Sequence, residues 1–330
     1  MTDLKNQILH GDSVEILRAN PPGFADLVFA DPPFNIGYKY DKYHDKKAHE
    51  KYLAWTEDWI GACAAALKPH GSFYIAIGDE YAANIKLIAD AQGLVMRNWI
   101  IWHYTFGQQT KTKFARAHAH IFYFVKDPKN FTFNDEIVRV ISDPQKRYRD
   151  KRANPAGKMP DDVWNEYPRI CGTFMERTGF PCQMPESLLA RIIRVSSNEG
   201  DWVLDPFCGS GTTATVAHKL NRLYTSMDLS EQYVEAARQR IAEAKGLPID
   251  GESDWTEHAE DELRWLYSEN KAPYKQLKAS PKLLSLFTAK LNDRLRRSVP
   301  YTPQETLDRL GEMERFCKLN AQLSDCVNSI

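Results

Sequence analysis

Two short stretches of this 330-residue chain combine acidic, proline and glycine residues in patterns that suit ligand chemistry. In the first, Asp31-Pro32-Pro33-Phe34 directly follows the apolar run Leu27 to Ala30. Prolines offer no backbone donors, so the carbonyls around them are open to accept hydrogen bonds, and an ionised Asp31 only accepts. A ligand presenting an NH₂ group would satisfy both acceptors, and Phe34 offers a face on which a planar ring can stack. In the second stretch, Asp205-Pro206-Phe207-Cys208-Gly209-Ser210-Gly211-Thr212 follows Val203 and Leu204 and leads into a helical pattern. Glycines in such a turn let the backbone approach a ligand closely, and the helix start behind them favours negative charge. Roughly one strand later Asp228 closes the run Tyr224 to Met227, where a carboxylate is placed to hold ribose hydroxyls. Together these features imply a nucleoside-containing cofactor. A nicotinamide dinucleotide is disfavoured, because Thr212, Thr213 and Ala214 follow Gly211 where G-x-G-x-x-G would need a further glycine.

These motifs need a scaffold that gathers strand ends. Short apolar runs read as buried strands at Gln7 to Leu9, Leu27 to Ala30, Phe73 to Ile77, Asn98 to Tyr104, His120 to Val125, Trp202 to Leu204 and Leu223 to Met227. Between them, Tyr52 to Leu67 has near-helical apolar spacing and a stop at Lys68-Pro69-His70-Gly71. Ser230 caps a second helical pattern that carries Val234, Ala237 and Ile241. The alternation predicts a doubly wound α/β domain over residues 1–246. Residues 126–180, rich in Pro, Asn, Asp and Arg, break the rhythm and read as an insertion beside the sheet. Residues 247–270 read as an acidic linker and 271–330 as a small helical module. In that module Ser280 and Pro281 open a helix with Leu284, Phe287, Leu291 and Leu295 on one face. Thr302, Pro303 and Glu305 open another with capping-box spacing.

Hydrophobic residues make up 43% and charged residues 26%, a balance that excludes a disordered or fibrous chain. The start MTDLKNQILHGD lacks the marks of a signal peptide, and no apolar run approaches the roughly 20 residues of a membrane span. A cytoplasmic protein that does not engage the membrane is expected. The six cysteines are scattered without a C-x-x-C pair, so neither a disulfide framework nor a metal site is expected. The net charge of −1 conceals local blocks. Residues 139–158 hold seven Lys or Arg, among them Lys146, Arg147, Arg149, Lys151 and Arg152, against two acidic residues. Residues 250–269 reverse the sign, with eight acidic residues against Arg264, and 271–318 revert to eleven basic against five acidic. Lys111, Lys113 and Arg116, between two predicted strands, are further candidates for contact with phosphate.

Asp31 to Phe34 resembles the D-P-P-[YF] motif of amino-group DNA methyltransferases, and Asp205 to Gly211 resembles their F-x-G-x-G loop for S-adenosylmethionine. The catalytic motif comes first and the cofactor loop about 170 residues later, with a variable insertion between them. That order is similar to the circularly permuted β class of adenine-N6 and cytosine-N4 enzymes, and the likeness runs from about Ile8 to Ala244.

The resemblance implies a Rossmann-like, circularly permuted methyltransferase fold, S-adenosylmethionine as cofactor and double-stranded DNA as partner. It implies catalytic roles for Asp31, Pro32, Pro33 and Phe34, and cofactor contacts from Asp12, Asp205, Phe207, Gly209, Gly211, Thr212 and Asp228. Asp12 matches the acidic position near the cofactor's adenine. Met184 stands where the family commonly has Lys, so no side-chain contact is carried over there. The basic block at 139–158 lies where the family keeps its target-recognition region, as a groove for phosphates requires. Transfer to an exocyclic amine needs no covalent intermediate, so no cysteine is assigned as nucleophile. A base in a duplex must be flipped out to reach such a pocket. Adenine is expected over cytosine, because D-P-P-[YF] is more typical of adenine enzymes and S-P-P-Y of cytosine-N4 enzymes. The alternatives are cytosine-N4 methylation and a non-catalytic DNA-binding scaffold on the same fold. The C-terminal helices suit either a helix-turn-helix reader or a packing module. Homodimers are common among the proteins it resembles.

Overall fold

The computed structural model describes residues 4–108, 111–140, 154, 158–170, 177–178, 180, 182–244, 255, 257–270, 273–295, 301–311 and 313. The chain divides into two compact units, Met1–Glu252 and Ser253–Ile330.

In the first unit an eight-stranded sheet is built from β1 (Gln7–His10), β2 (Ala25–Ala30), β3 (Leu67–Ile77), β4 (Val95–Gln108), β5 (Arg116–Val125), β6 (Val163–Trp164), β7 (Trp202–Asp205) and β8 (Leu223–Asp228). The strand order is β1-β8-β7-β2-β3-β5-β4-β6. From β1 to β3 all neighbours are parallel, whereas β5 runs antiparallel to both β3 and β4. The first-unit helices are α1 (Ser13–Arg18), α2 (His49–Ala66), α3 (Ala82–Ala91), α4 (Asp135–Val138), α5 (Glu186–Ser196), α6 (Thr212–Lys219) and α7 (Glu231–Glu243). Strand β2 is buried at every position, as expected of a central strand covered on both faces. Leu27, Phe29, Tyr74 and Ile193 join one core, and Val28, Phe73, Trp59 and Leu204 join the other.

The topology turns over between β2 and β7, which pair with Val28 opposite Leu204. In such a sheet the crevice beyond the carboxyl ends of the two strands is where ligands bind. Four neighbouring parallel strands deliver an acidic residue at that edge: Asp12 just after β1, Asp228 ending β8, Asp205 ending β7 and Asp31 just after β2. Every strand expected from the apolar runs is present. The expected helix stop at Lys68 to Gly71 lies instead within β3, because α2 ends at Ala66 and passes straight into the strand. Lys68 and His70 reach back to the buried Asp26 carboxylate, at 2.8 and 3.0 Å, and Asp26 also accepts from the Trp202 amide at 2.8 Å. That carboxylate ties β3 and β7 to β2.

The insertion is docked by aromatic residues. Trp164 and Tyr167 are buried, Trp102 donates through Nε1 to the Tyr167 carbonyl at 2.8 Å, and the Arg191 guanidinium lies over both rings. Lys146, Arg147, Arg149, Lys151 and Arg152 lie outside the described residues.

In the second unit, α8 (Glu257–Asn270), α9 (Tyr274–Ala279), α10 (Pro281–Leu295) and a helix at 303–311, here α11, enclose a core of their own. The stretch expected as an acidic linker is therefore corrected: Ala259, Leu263 and Leu266 are buried in this core, at the i, i+4, i+7 spacing of a helix stripe. Trp255 stacks on Tyr301 with centroids 3.8 Å apart. Thr302 and Glu305 form the expected reciprocal cap, with Thr302 N donating to Glu305 Oε2 at 2.7 Å and Glu305 N to Thr302 Oγ1 at 3.2 Å. Among the described residues no helix is long and apolar enough to cross a membrane.

Candidate active site

The glycine turn at the end of β7 is shaped by close packing. Gly209 and Gly211 adopt φ of 50° and 75°, the left-handed region that glycine enters at little cost. A Cβ on Gly211 would stand 2.6 Å from the Ala237 Cβ, and one on Gly209 would stand 2.8 Å from Phe180 Cζ. The carboxylates beneath the turn are used to build it. Asp205 accepts from the Phe207 amide at 2.9 Å, and Asp228 accepts from the amides of Gly209 and Ser230, each at 2.9 Å. Asp12 caps α1 by accepting from Val14 N and Glu15 N, both on Oδ1.

The loop after β2 is organised from outside itself. Asp45, 2% exposed, accepts from the amides of Asn35, Ile36 and Tyr38 at 2.7, 3.2 and 2.8 Å. Asn35, with φ of 59°, bonds Tyr81 and the Lys47 carbonyl. The fully buried Tyr52 donates to the Pro33 carbonyl at 2.7 Å. Gly78 leaves room for the Phe34 ring, since a Cβ there would lie 3.2 Å from Phe34 Cδ2. Among the described residues, nothing hydrogen-bonds to the Asp31 carboxyl or to the Pro32 carbonyl.

Asp31, Pro32, Pro33 and Phe34 share one cavity of about 870 Å³ with Asp12, Asp205, Phe207, Gly209, Thr212 and Asp228. Gly211 is not in its wall and instead lets the turn close against α7. Burial, reinforced by the neighbouring Asp205, pushes the Asp31 carboxyl up to about 8. Burial also raises Asp205, to about 6, against the opposing bonds from Thr213 and the Phe207 amide. Asp228 is raised by burial and partly held down by its two amide donors. The cluster of Asp31, Asp205 and Asp228 in this cavity suits a cationic group of a ligand.

Of the expected phosphate contacts, Lys113 and Arg116 line the cavity, while Lys111 is exposed outside its wall. Arg116 is not a free cation, because its Nε lies 2.7 Å from Asp79 and a second nitrogen 3.8 Å from Glu80. Asp79 also holds His118 and His120, at 3.2 and 2.9 Å, a grouping with the dimensions of a metal site. His120 Nδ1, however, accepts from Trp99 Nε1 at 2.9 Å, which leaves the proton on Nε2 and that nitrogen donating to Asp79. The cluster is a hydrogen-bond network that fixes Arg116.

Phe180 belongs to the stretch Phe180 to Pro185, which resembles the family's segment ahead of the cofactor loop, whereas Tyr233, Arg240, Glu186 and Lys219 were not assigned to the site from the sequence. Phe180 and Tyr233 meet edge to face across the glycine turn, 4.9 Å apart. Arg240 donates to the Ser210 carbonyl at 3.0 Å and to Thr212 Oγ1 at 2.9 Å. It is held in turn by Glu186, 2.9 Å away, which also binds Lys219 at 2.7 Å in a pocket where Glu186 is 2% exposed. Only the tertiary fold brings these residues under the turn. Pro185 and Glu186 at the start of an apolar helix gave the one local signal.

A mixed sheet whose parallel strands carry a glycine turn and strand-end carboxylates around one cavity defines a Rossmann-like methyltransferase. The order of its two motifs is that of the permuted class. The sequence matches the DNA methylase family of N6- and N4-specific enzymes over residues 25–239. It is 37% identical over 239 residues to the type II methyltransferase M.HpaI of Haemophilus parainfluenzae, covering 72% of this chain and 74% of that protein. It is 35% identical over 242 residues to the DNA adenine methyltransferase YhdJ of Escherichia coli, covering 71% and 82%. A DNA modification methylase of Thermus thermophilus, solved with S-adenosyl-L-methionine, shares the fold with a TM-score of 0.53 and 21% identity, over 73% of this chain and 97% of that one. The chain belongs to the N6/N4 DNA methylase family. It is thus a DNA methyltransferase.

Proposed function

We propose that the protein methylates the N6 amine of adenine in double-stranded DNA, with the base flipped into the cavity beside Asp31. The observation that carries this reading is the unpartnered, recessed Asp31 carboxyl next to the unpartnered Pro32 carbonyl, in the same cavity as the glycine turn. An exocyclic amine has two protons, and these two acceptors match them. The amine's lone pair is delocalised into the ring, which makes it a weak nucleophile. Accepting its protons at Asp31 and Pro32 favours a pyramidal nitrogen with the lone pair free to attack, so orientation and electrostatics supply the catalysis. Phe34 offers the stacking face, worth about 1–3 kcal/mol against the few kcal/mol that flipping costs. A carboxyl whose affinity for protons is raised to about 8 also suits the proton that must leave the nitrogen once the new N–C bond has formed.

The glycine turn and the carboxylates of Asp12, Asp205 and Asp228 fit S-adenosylmethionine, which supplies an electrophilic methyl group on a positively charged sulfur. Asp228 and Asp12 would hold its hydroxyl- and amine-bearing nucleoside, and Asp205 would face its charge. The motif letters and the adenine specificity in the name of YhdJ favour adenine over cytosine. Lys113 and the basic block that includes Arg147, Arg149 and Arg152 would receive the phosphates of duplex DNA in the cytoplasm, while Arg116 is engaged by Asp79.

The test is calorimetric titration with S-adenosylmethionine, paired with transfer of a labelled methyl group to unmodified duplex DNA and, separately, to RNA. Cofactor binding with label on DNA is expected. Binding with no label on DNA would overturn the substrate, and failure to bind cofactor would favour a non-catalytic scaffold.

A further inference from the structure

The second unit lies beyond the stretch matched to the family, and its charges are sorted by helix. Helix α8 carries Glu257, Glu260, Asp261, Glu262 and Glu269 against Arg264 alone. Residues 274–292, which span α9 and most of α10, carry Lys275, Lys278, Lys282 and Lys290 and neither Asp nor Glu. Opposite charges this close would ordinarily pair across the unit, and the arginines do. Arg294 binds Glu269 at 2.7 Å and Glu262 at 3.5 Å, Arg264 binds Glu260 at 3.1 Å, and Arg309 also bonds Glu260. Glu260, Glu262 and Glu269 of α8 are thus consumed inside the unit. Lys275, Lys278 and Lys282 are exposed, and none of the three has an acidic partner among the described residues.

Their placement is not explained by the unit's own stability. The apolar side of α9 and α10 faces the core through Leu277, Leu284, Phe287 and Leu291, so the lysines cover no core surface. Lys282 sits in the first turn of α10, which has no acidic residue, and a cation there opposes the helix dipole at a cost of a few tenths of a kcal/mol. Three exposed cations with no acidic partner among the described residues, Lys282 against the dipole of its helix and Lys278 with that of its own, mark a surface for an external polyanion.

We propose that this lysine ridge is a second DNA contact of the enzyme, gripping the phosphate backbone of duplex DNA. The inference rests on the reading of duplex DNA as substrate. Lysine is a flexible point charge without the planar fork that reads guanine, so the ridge holds backbone and adds affinity without sequence choice. Each phosphate neutralised releases counterions and steepens the dependence of binding on salt by about 0.9 in the log–log slope.

The experiment compares the full chain with the triple variant Lys275→Gln, Lys278→Gln, Lys282→Gln by anisotropy titration of a duplex over a series of KCl concentrations. All three positions are exposed, and glutamine keeps the helix propensity. The expected result is a slope shallower by about 2 to 3 and binding about tenfold weaker near 0.15 M salt. KM for DNA should rise by the same factor, with kcat at saturating DNA and cofactor affinity unchanged. A charge-reversed variant, Lys278→Glu with Lys282→Glu, should weaken binding further. An unchanged slope and affinity in both variants, or a change in self-association in place of DNA affinity, would overturn the ridge as a DNA contact. If the unaltered chain binds duplex DNA without salt dependence, the substrate reading falls and the ridge with it.

Discussion

The loops that follow β2 and β7 leave neighbouring strands at the same sheet edge, yet they treat their carboxylates in opposite ways. After β7, Asp205 accepts from an amide of the turn, and Asp228 beside it accepts from two. After β2, the Asp31 carboxyl is left without a hydrogen bond while Asp45 and Tyr52 hold the rest of its loop. A satisfied carboxylate builds a cradle, and an unsatisfied one waits for a ligand's protons. The difference in proton affinity, about 6 at Asp205 against about 8 at Asp31, follows from the same contrast.

The sharpest way to break the contrast is to remove the free acceptor. Asp31→Asn keeps the shape of the side chain, and kcat should fall at least 10²–10³-fold, the usual loss for one group matched to the reacting atoms. Cofactor affinity should change little, as calorimetry would show. Equal loss of both would make Asp31 part of the cradle.

On the cradle side, Glu186→Gln leaves Lys219 and Arg240 facing an uncharged partner in a buried pocket. Removing one member of a buried ion pair costs about 3–5 kcal/mol, to be read by denaturant unfolding. Weaker cofactor binding should accompany it through the Arg240 bond to the Ser210 carbonyl. A fully stable variant would show that the network does not brace the turn.

Gly211→Ala should be milder, at about 1–3 kcal/mol, because the left-handed conformation and the 2.6 Å approach to Ala237 both oppose a Cβ. Its loss should fall on stability and cofactor affinity, with kcat at saturation preserved. A lowered kcat with normal binding would blur the division between the loops.

The smallest effect is a linked proton. Both folded values lie above the ordinary 3.8 of an aspartate, so the folded site keeps protons that the unfolded chain has lost. The stability these groups contribute is complete below about pH 4 and drains as pH rises through 6 and then 8. A bound cation favours the ionised forms, so cofactor uptake at pH 7 should release protons, and affinity should increase between pH 6 and 8. Calorimetry in buffers of different ionisation enthalpy measures the release. A buffer-independent heat would mean that both carboxyls are already ionised.

The sequence made the sheet legible wherever strands were buried on both faces, as in Leu27 to Ala30, because such strands are continuous apolar runs. It did not show β6, whose two residues are fixed by pairing with Ile101 and Trp102. The acidic count at 250–269 read as solvated linker, whereas Ala259, Leu263 and Leu266 bury one face of α8. The site divides in the same way. Asp31 to Phe34 and Asp205 to Gly211 carry their chemistry in adjacent letters. Asp45, Tyr52, Glu186 and Arg240 act only because the fold returns them to those letters from elsewhere in the chain. Arg116 shows the converse: as a letter it is a free cation, and in the fold it is held by Asp79.

Nucleoside mass spectrometry of unmethylated duplex DNA, after incubation with purified protein and S-adenosylmethionine, reads which base is presented to Asp31. N6-methyladenine and no other new base is expected. N4-methylcytosine in its place would contradict the assignment of adenine as the base presented to Asp31.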